Sequence, residues 1–123
     1  MNDETERPVV RLRVVFGPEA MLGPGKAELL ERIDRTGSIS AAGREMGMSY
    51  KRAWMLVGTL NAMFQEPLVH SARGGNKGGG AVLTPLGQKV LQLYREVEHR
   101  ASEAGASELA HLQALLSDMA AGK

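Results

Sequence analysis

The sequence predicts a mainly helical α+β fold with small β hairpins and a long C-terminal helix, on three observations. Apolar residues recur at intervals of three and four through much of residues 24–64 and again after Pro85, the period of a helix with one buried face. Two short stretches, Leu68-Val69-His70-Ser71 and Ala81-Val82-Leu83-Thr84, flank a loop dominated by glycine. Gly-Pro, Gly and Thr-Pro steps fall at the ends of the periodic segments, where helices start and stop.

The chain has 123 residues, which makes one domain, or one domain with an appended helix. Aromatic residues are scarce, so Leu, Val, Met and Ala must build the core. The chain contains no Cys, which excludes disulfides and thiolate metal sites and fits a reducing cytoplasm. No apolar run is long enough to span a bilayer, and MNDETERP is charged rather than signal-like, so no membrane partner is expected.

Taken in order, residues 1–8 are polar and end in Pro8, and read as a disordered arm. Residues 9–16 (VVRLRVVF) alternate in their middle, with Val10, Leu12 and Val14 on one face and Arg11 and Arg13 on the other, a strand period. Gly17-Pro18 breaks the strand, and Ala20-Met21-Leu22 returns as a short partner, giving an edge hairpin that covers the core. Gly23-Pro24 opens a helix with Pro at the first position, where its missing N–H costs nothing. Leu29, Leu30 and Ile33 form its inward face, and Gly37 closes it.

Residues 37–64, GSISAAGREMGMSYKRAWMLVGTLNAMF, are the centre of the chain. Ser38 is an N-cap for a short helix whose inward edge is Ile39, Ala42 and Met46. Gly47 suits the left-handed C-terminal conformation, Met48 fills the corner, and Ser49 caps a longer helix. Its buried stripe is Ala53, Val57, Leu60 and Phe64, while Ser49, Lys51, Arg52 and Met55 fall mainly outside it. Two helices joined by a short glycine-containing turn are either a helix-turn-helix, whose second helix enters a DNA major groove, or an ordinary helical hairpin. The cluster Tyr50, Lys51 and Arg52 at the first turn of the second helix favours DNA.

Glu66-Pro67 stops that helix, and the two strands and loop that follow make the arrangement a winged helix-turn-helix. In the loop ARGGNKGGG, Arg73, Asn76 and Lys77 are placed to meet phosphates or a minor groove. A phosphate-cradling P-loop is disfavoured, because Lys77 is followed by Gly78 and a strand follows the loop. A merely flexible hairpin is the plainer alternative. Thr84-Pro85 then begins a helix reaching about Arg100, with Leu86, Val90, Leu93, Tyr94 and Val97 at the spacing of a helix-pairing seam. Gly105 weakens the helix, and Leu109, Leu112, Leu116 and Met119 resume the pattern. The stripe needs a partner, and a second copy of the chain is favoured over packing on the same domain. The domain plan is thus an arm (1–8), a winged helix-turn-helix (9–84) and a helical dimerisation segment (85–123).

Net charge is only +1, so a basic total does not argue for nucleic acid. Its distribution does: residues 1–43 sum to −1, residues 44–89 to +4 and residues 90–123 to −2. The excess falls on the motif and the loop after it, as expected of a polyanion site.

The opening Gly37-Ser38-Ile39-Ser40-Ala41-Ala42, the block Met48-Ser49-Tyr50-Lys51-Arg52-Ala53-Trp54, the glycines at 74–75 and 78–80, and the exit Leu83-Thr84-Pro85-Leu86-Gly87 together resemble one known family. It is the N-terminal DNA-binding domain of the ModE molybdate-responsive regulators, within the broader LysR-type winged helices, and the resemblance covers about residues 9–100. It implies a dimeric bacterial repressor or activator reading a palindromic operator in double-stranded DNA. The family's molybdate-binding domains carry S-A-R-N-x-L-x-G; Ser71-Ala72-Arg73 begins similarly but sits in the wing and continues Gly-Gly. With only a short helical tail after residue 100, the oxyanion sensor is expected to be absent. DNA is then bound without an effector of its own, or another chain supplies the sensor.

The expected DNA-binding residues are Ser38, Arg44, Ser49, Tyr50, Lys51, Arg52, Met55, Arg73, Asn76 and Lys77. Lys51 or Arg52 is suited to guanine O6/N7, Met55 to a thymine methyl, and Ser38 to a phosphate. Trp54 adjoins Ala53 and Val57, so a core or interface role is expected of it ahead of stacking on DNA. Catalysis is not expected: His70, His99 and His111 lie on different elements, and no G-x-S-x-G, H-E-x-x-H or Cys nucleophile is present. No cofactor or metal is expected. The competing function is a protein-interaction module working through the C-terminal helix.

Overall fold

The computed structural model describes residues 8–72 and 80–117. The elements are β1 (Val14–Gly17), β2 (Ala20–Leu22), α1 (Pro24–Thr36), α2 (Ile39–Glu45), α3 (Tyr50–Met63), β3 (Val69–Ala72), β4 (Gly80–Leu83), α4 (Pro85–Ala104) and α5 (Ala106–Ala114). The class is the expected α+β, with the strands in two separate antiparallel pairs. The described residues divide into two compact units, residues 12–94 and the remainder. The predicted arm, apart from Pro8, lies outside the described residues.

The first strand is shorter than its alternation suggests. β1 starts at Val14 because its partner β2 has only three residues, so pairing runs from Val14↔Leu22 to Gly17↔Ala20. Residues 9–13 carry no ladder; Leu12 is instead held where its carbonyl accepts from the Tyr94 hydroxyl at 2.6 Å. Phe16 packs edge-on against Phe64, ring centroids 6.4 Å apart, which ties the hairpin to the end of α3.

α1 begins at Pro24 and ends as Gly37 adopts φ 73°, its N–H donating back to the Ile33 carbonyl. Leu29, Leu30 and Ile33 are fully buried, and with Ile39, Ala42, Ala53, Val57 and Leu60 they form the three-helix core. α2 and α3 cross closely: a Cβ on Gly43 would lie 2.8 Å from the Ala53 Cβ. Gly47 takes φ 72° in the turn between them, and Met48 packs into the corner. Phe64, the last of the predicted stripe, is only half-buried because α3 stops at Met63.

Asn61 joins α3 to the second hairpin. Its Oδ1 accepts from the N–H groups of Leu68 (2.8 Å) and Val69 (3.0 Å), and its Nδ2 donates to the Val69 carbonyl (3.2 Å). β3 and β4 pair from Val69↔Leu83 to Ala72↔Gly80, and the Ala81 N–H donates to the Gly37 carbonyl at 2.9 Å. Thr84 then caps α4, accepting from the Gly87 N–H while its hydroxyl donates to the Pro67 carbonyl. Gly87 must be glycine, since a Cβ there would lie 2.1 Å from the Leu68 carbonyl oxygen.

The stripe expected to pair with a second copy divides along its length. Val90 and Tyr94 are buried in their own domain and Leu86 packs against the same core, whereas Leu93 and Val97 remain exposed. Gly105 separates α4 from α5, and α5 buries none of its residues.

Candidate nucleic-acid interface

α3 presents its cationic end to solvent. Ser49 caps it, its Oγ accepting from the Arg52 N–H at 3.1 Å, which fixes the first turn carrying Tyr50, Lys51 and Arg52. All three are exposed, Tyr50 by 66%. At 100° per residue, Lys51, Met55, Gly58 and Ala62 share the stripe opposite the buried Ala53, Val57 and Leu60. Each of those four is exposed, and Gly58 has open space where a Cβ would stand.

The wing root borders the same end of α3. Ser38 and Ser40 from the start of α2, Tyr50 and Trp54 from α3, and Ser71, Ala72 and Gly80 from the wing strands line one shallow cleft. At about 70 Å³ it is well below the roughly 300–1,000 Å³ of a small-molecule pocket. Its value is positional, since it brings the second motif helix and the wing strands to a common face. Ser38 caps α2, its Oγ accepting from the Ala41 N–H at 3.0 Å, and its hydroxyl proton is not used in that bond. Arg73, Asn76 and Lys77 lie outside the described residues.

Of the two roles expected of Trp54, core or interface, the first does not hold. It is 40% exposed and stacks at a tilt on Tyr50, centroids 6.0 Å apart, on the side of α3 that faces the wing root. The helical wheel sets it beside the buried stripe, but among the described residues no element covers that side. Asn61 is a positioning residue that the sequence reading passes over; its signal was a poor helix former inside an otherwise regular helix.

The cations are sorted by partner. On α1, Arg32 donates to Glu28 (2.6 and 2.9 Å) and to Glu45 (2.8 Å), and Arg35 also pairs with Glu45. The hydrogen bonds from Arg35 and then Arg32 hold the Glu45 carboxyl below its ordinary pKa. Glu28, then Glu45, raises that of Arg32. Arg44, Lys51 and Arg52 have no ion-pair partner among the described residues. A surface that exchanges counterions for a polyanion needs its charges unspent in this way.

Comparison with known proteins agrees with this geometry. Residues 25–88 match the bacterial regulatory helix-turn-helix proteins of the lysR family. The molybdenum-pterin-binding protein MopB of Rhodobacter capsulatus is 51% identical over 79 residues, 64% of this chain and 29% of that protein. MopA of the same organism is 45% identical over 104 residues, 85% of this chain and 38% of that protein. The DNA-binding transcriptional dual regulator ModE of Escherichia coli (strain K12) is 45% identical over 71 residues, 58% of this chain and 27% of that protein. The chain therefore spans 27–38% of the length of these relatives.

Proposed function

This chain belongs to the lysR family of bacterial regulatory helix-turn-helix proteins, and on that premise we propose that it is a DNA-binding transcriptional regulator acting as a homodimer on a palindromic operator. α3 lies in the major groove and the wing meets the neighbouring backbone. The observation that carries the reading is the exposed Lys51 and Arg52, without an ion pair among the described residues, on the first turn of a capped helix beside the wing root. Lys51 and Arg52 read guanine edges, and Met55 meets a thymine methyl. Ser38, Ser49, Tyr50 and Arg44 position the backbone, together with Arg73, Asn76 and Lys77 of the wing. The protein acts by binding rather than catalysis, in the cytoplasm.

In-vitro selection of duplexes from a random pool tests this, and a two-fold symmetric site is the expected product. Lys51→Ala with Arg52→Ala should abolish preference for the selected operator, a loss of about 1–3 kcal/mol per contact, with an unchanged melting transition. Retained discrimination by the double variant rejects the assignment. If about five phosphates per protomer are neutralised, log K falls with log salt at a slope near −9 for a dimer. A wild-type protein that is monomeric and has no affinity for DNA at low salt favours a protein-interaction module instead.

A further inference from the structure

On the other flank of α3 lies a second basic feature, outside the helix-turn-helix motif and the wing. Arg13, next to β1, Lys26, in the first turn of α1, and Arg52, in the first turn of α3, line one cleft of about 350 Å³. Met21, Met48 and Leu56 supply apolar wall, and among the described residues no carboxylate lines it. Arg13 and Arg52 have no ion-pair partner among the described residues. The Lys26 ammonium donates to the Met21 carbonyl at 2.9 Å, which holds it at the cleft and leaves two of its three N–H donors.

The wheel of α3 gives this cleft its meaning. Lys51 and Met55 point away from the core; Tyr50 and Trp54 turn toward the wing root; Arg52 and Leu56 turn toward the cleft. A major groove about 12 Å wide is bordered by two sugar-phosphate strands, so a helix seated in it has one on each side. We propose that Arg13 and Lys26, across the cleft that Arg52 borders, form a phosphodiester clamp, gripping the strand of the duplex that lies on the side of α3 away from the wing. The proposal rests on the DNA-binding reading and extends it to residues outside the helix-turn-helix motif and the wing.

The test is the affinity of the full chain for a selected operator and for random duplex across a salt series. Arg13→Ala with Lys26→Ala should reduce the magnitude of the salt slope by about 1.8 per protomer, two phosphates at about 0.9 each. It should weaken both duplexes roughly 10- to 100-fold per bound protomer at 0.1 M salt, the square of that for a dimer, with the ratio between them unchanged. Arg13→Ala alone, which breaks no side-chain hydrogen bond among the described residues, should give half the slope change, and Arg13→Lys with Lys26→Arg should restore it. Ethylation interference should lose its signal on the strand opposite the wing in the Ala variant. An unchanged slope in variants that melt like wild type overturns the clamp and leaves the DNA reading standing. A wild type that binds no duplex removes that reading itself. Saturable binding of inorganic phosphate in the cleft that does not compete with duplex would overturn the clamp in favour of a small-oxyanion site.

Discussion

Glu45 shows how one side chain divides the surface charge. Placed on the last turn of α2, it accepts from Arg32 and Arg35 of α1 and, together with Glu28 on Arg32, balances those two cations in the protein's external field. Because Arg35 and then Arg32 lower its pKa in the fold, its contribution to stability is complete above the ordinary carboxylate range. It is lost as pH falls through the lowered folded value. Glu45→Gln should therefore melt below wild type at neutral pH, and the gap should close as pH falls below the ordinary carboxylate range. Thermal melts across that range check the sign, and high salt should shrink the gap because the pair is solvated. A gap that widens in acid contradicts the pairing. Arg44, one residue earlier on α2, has no ion pair among the described residues, so two adjacent residues serve opposite ends: one secures a helix junction, the other stays available to a polyanion.

Between elements, the decisive joint is the one from α3 to β3 through Asn61, because it sets where the wing stands relative to the reading helix. Asn61→Ala leaves the partly buried N–H groups of Leu68 and Val69 without their acceptor, at a cost of about 1–3 kcal/mol. Denaturant unfolding should register that loss. Affinity for random duplex should fall with it, since the wing root is no longer tied to α3. Stability and DNA binding both unchanged would show that the wing is held by its other contacts alone. Much of this element plan is legible in the sequence, because capping and turn chemistry is local. Ser38, Ser49, Thr84, Pro24, Gly37 and Gly47 all act where their residue types suggest. What the sequence leaves open is non-local. The extent of β1 depends on the length of β2, and whether Trp54 is covered depends on an element distant in sequence. For the interface, Tyr50, Lys51 and Arg52 stand out by charge on one turn. Arg13 and Lys26 do not, because only folding brings the residue before the first strand and the start of the first helix to the flank of the third.

At the scale of the whole molecule, the open question is what meets the apolar surface of the C-terminal helices. A stripe at helical spacing says that a partner is needed without saying which, and here it serves two ends. Val90 and Tyr94 complete the core of their own domain, the latter also bonding Leu12. Leu93 (53% exposed) and Val97 (45%) on α4, with Leu112, Leu115 and Leu116 after the break at Gly105, are left over. Apolar area of this kind favours association at about 25 cal/mol per Å² removed from water. We therefore expect Leu93→Asp with Val97→Asp to leave the melting of residues 12–94 nearly intact, because neither side chain belongs to the buried core. Sedimentation should shift from twice the chain mass to the chain mass. The DNA consequence is sharper: a lone protomer neutralises half the phosphates, so the magnitude of the salt slope should fall by about half. A palindrome and an isolated half-site should then bind almost equally. A wild type that sediments as a single chain at micromolar concentration, or a double variant that still distinguishes palindrome from half-site, would assign the exposed stripe to some other partner.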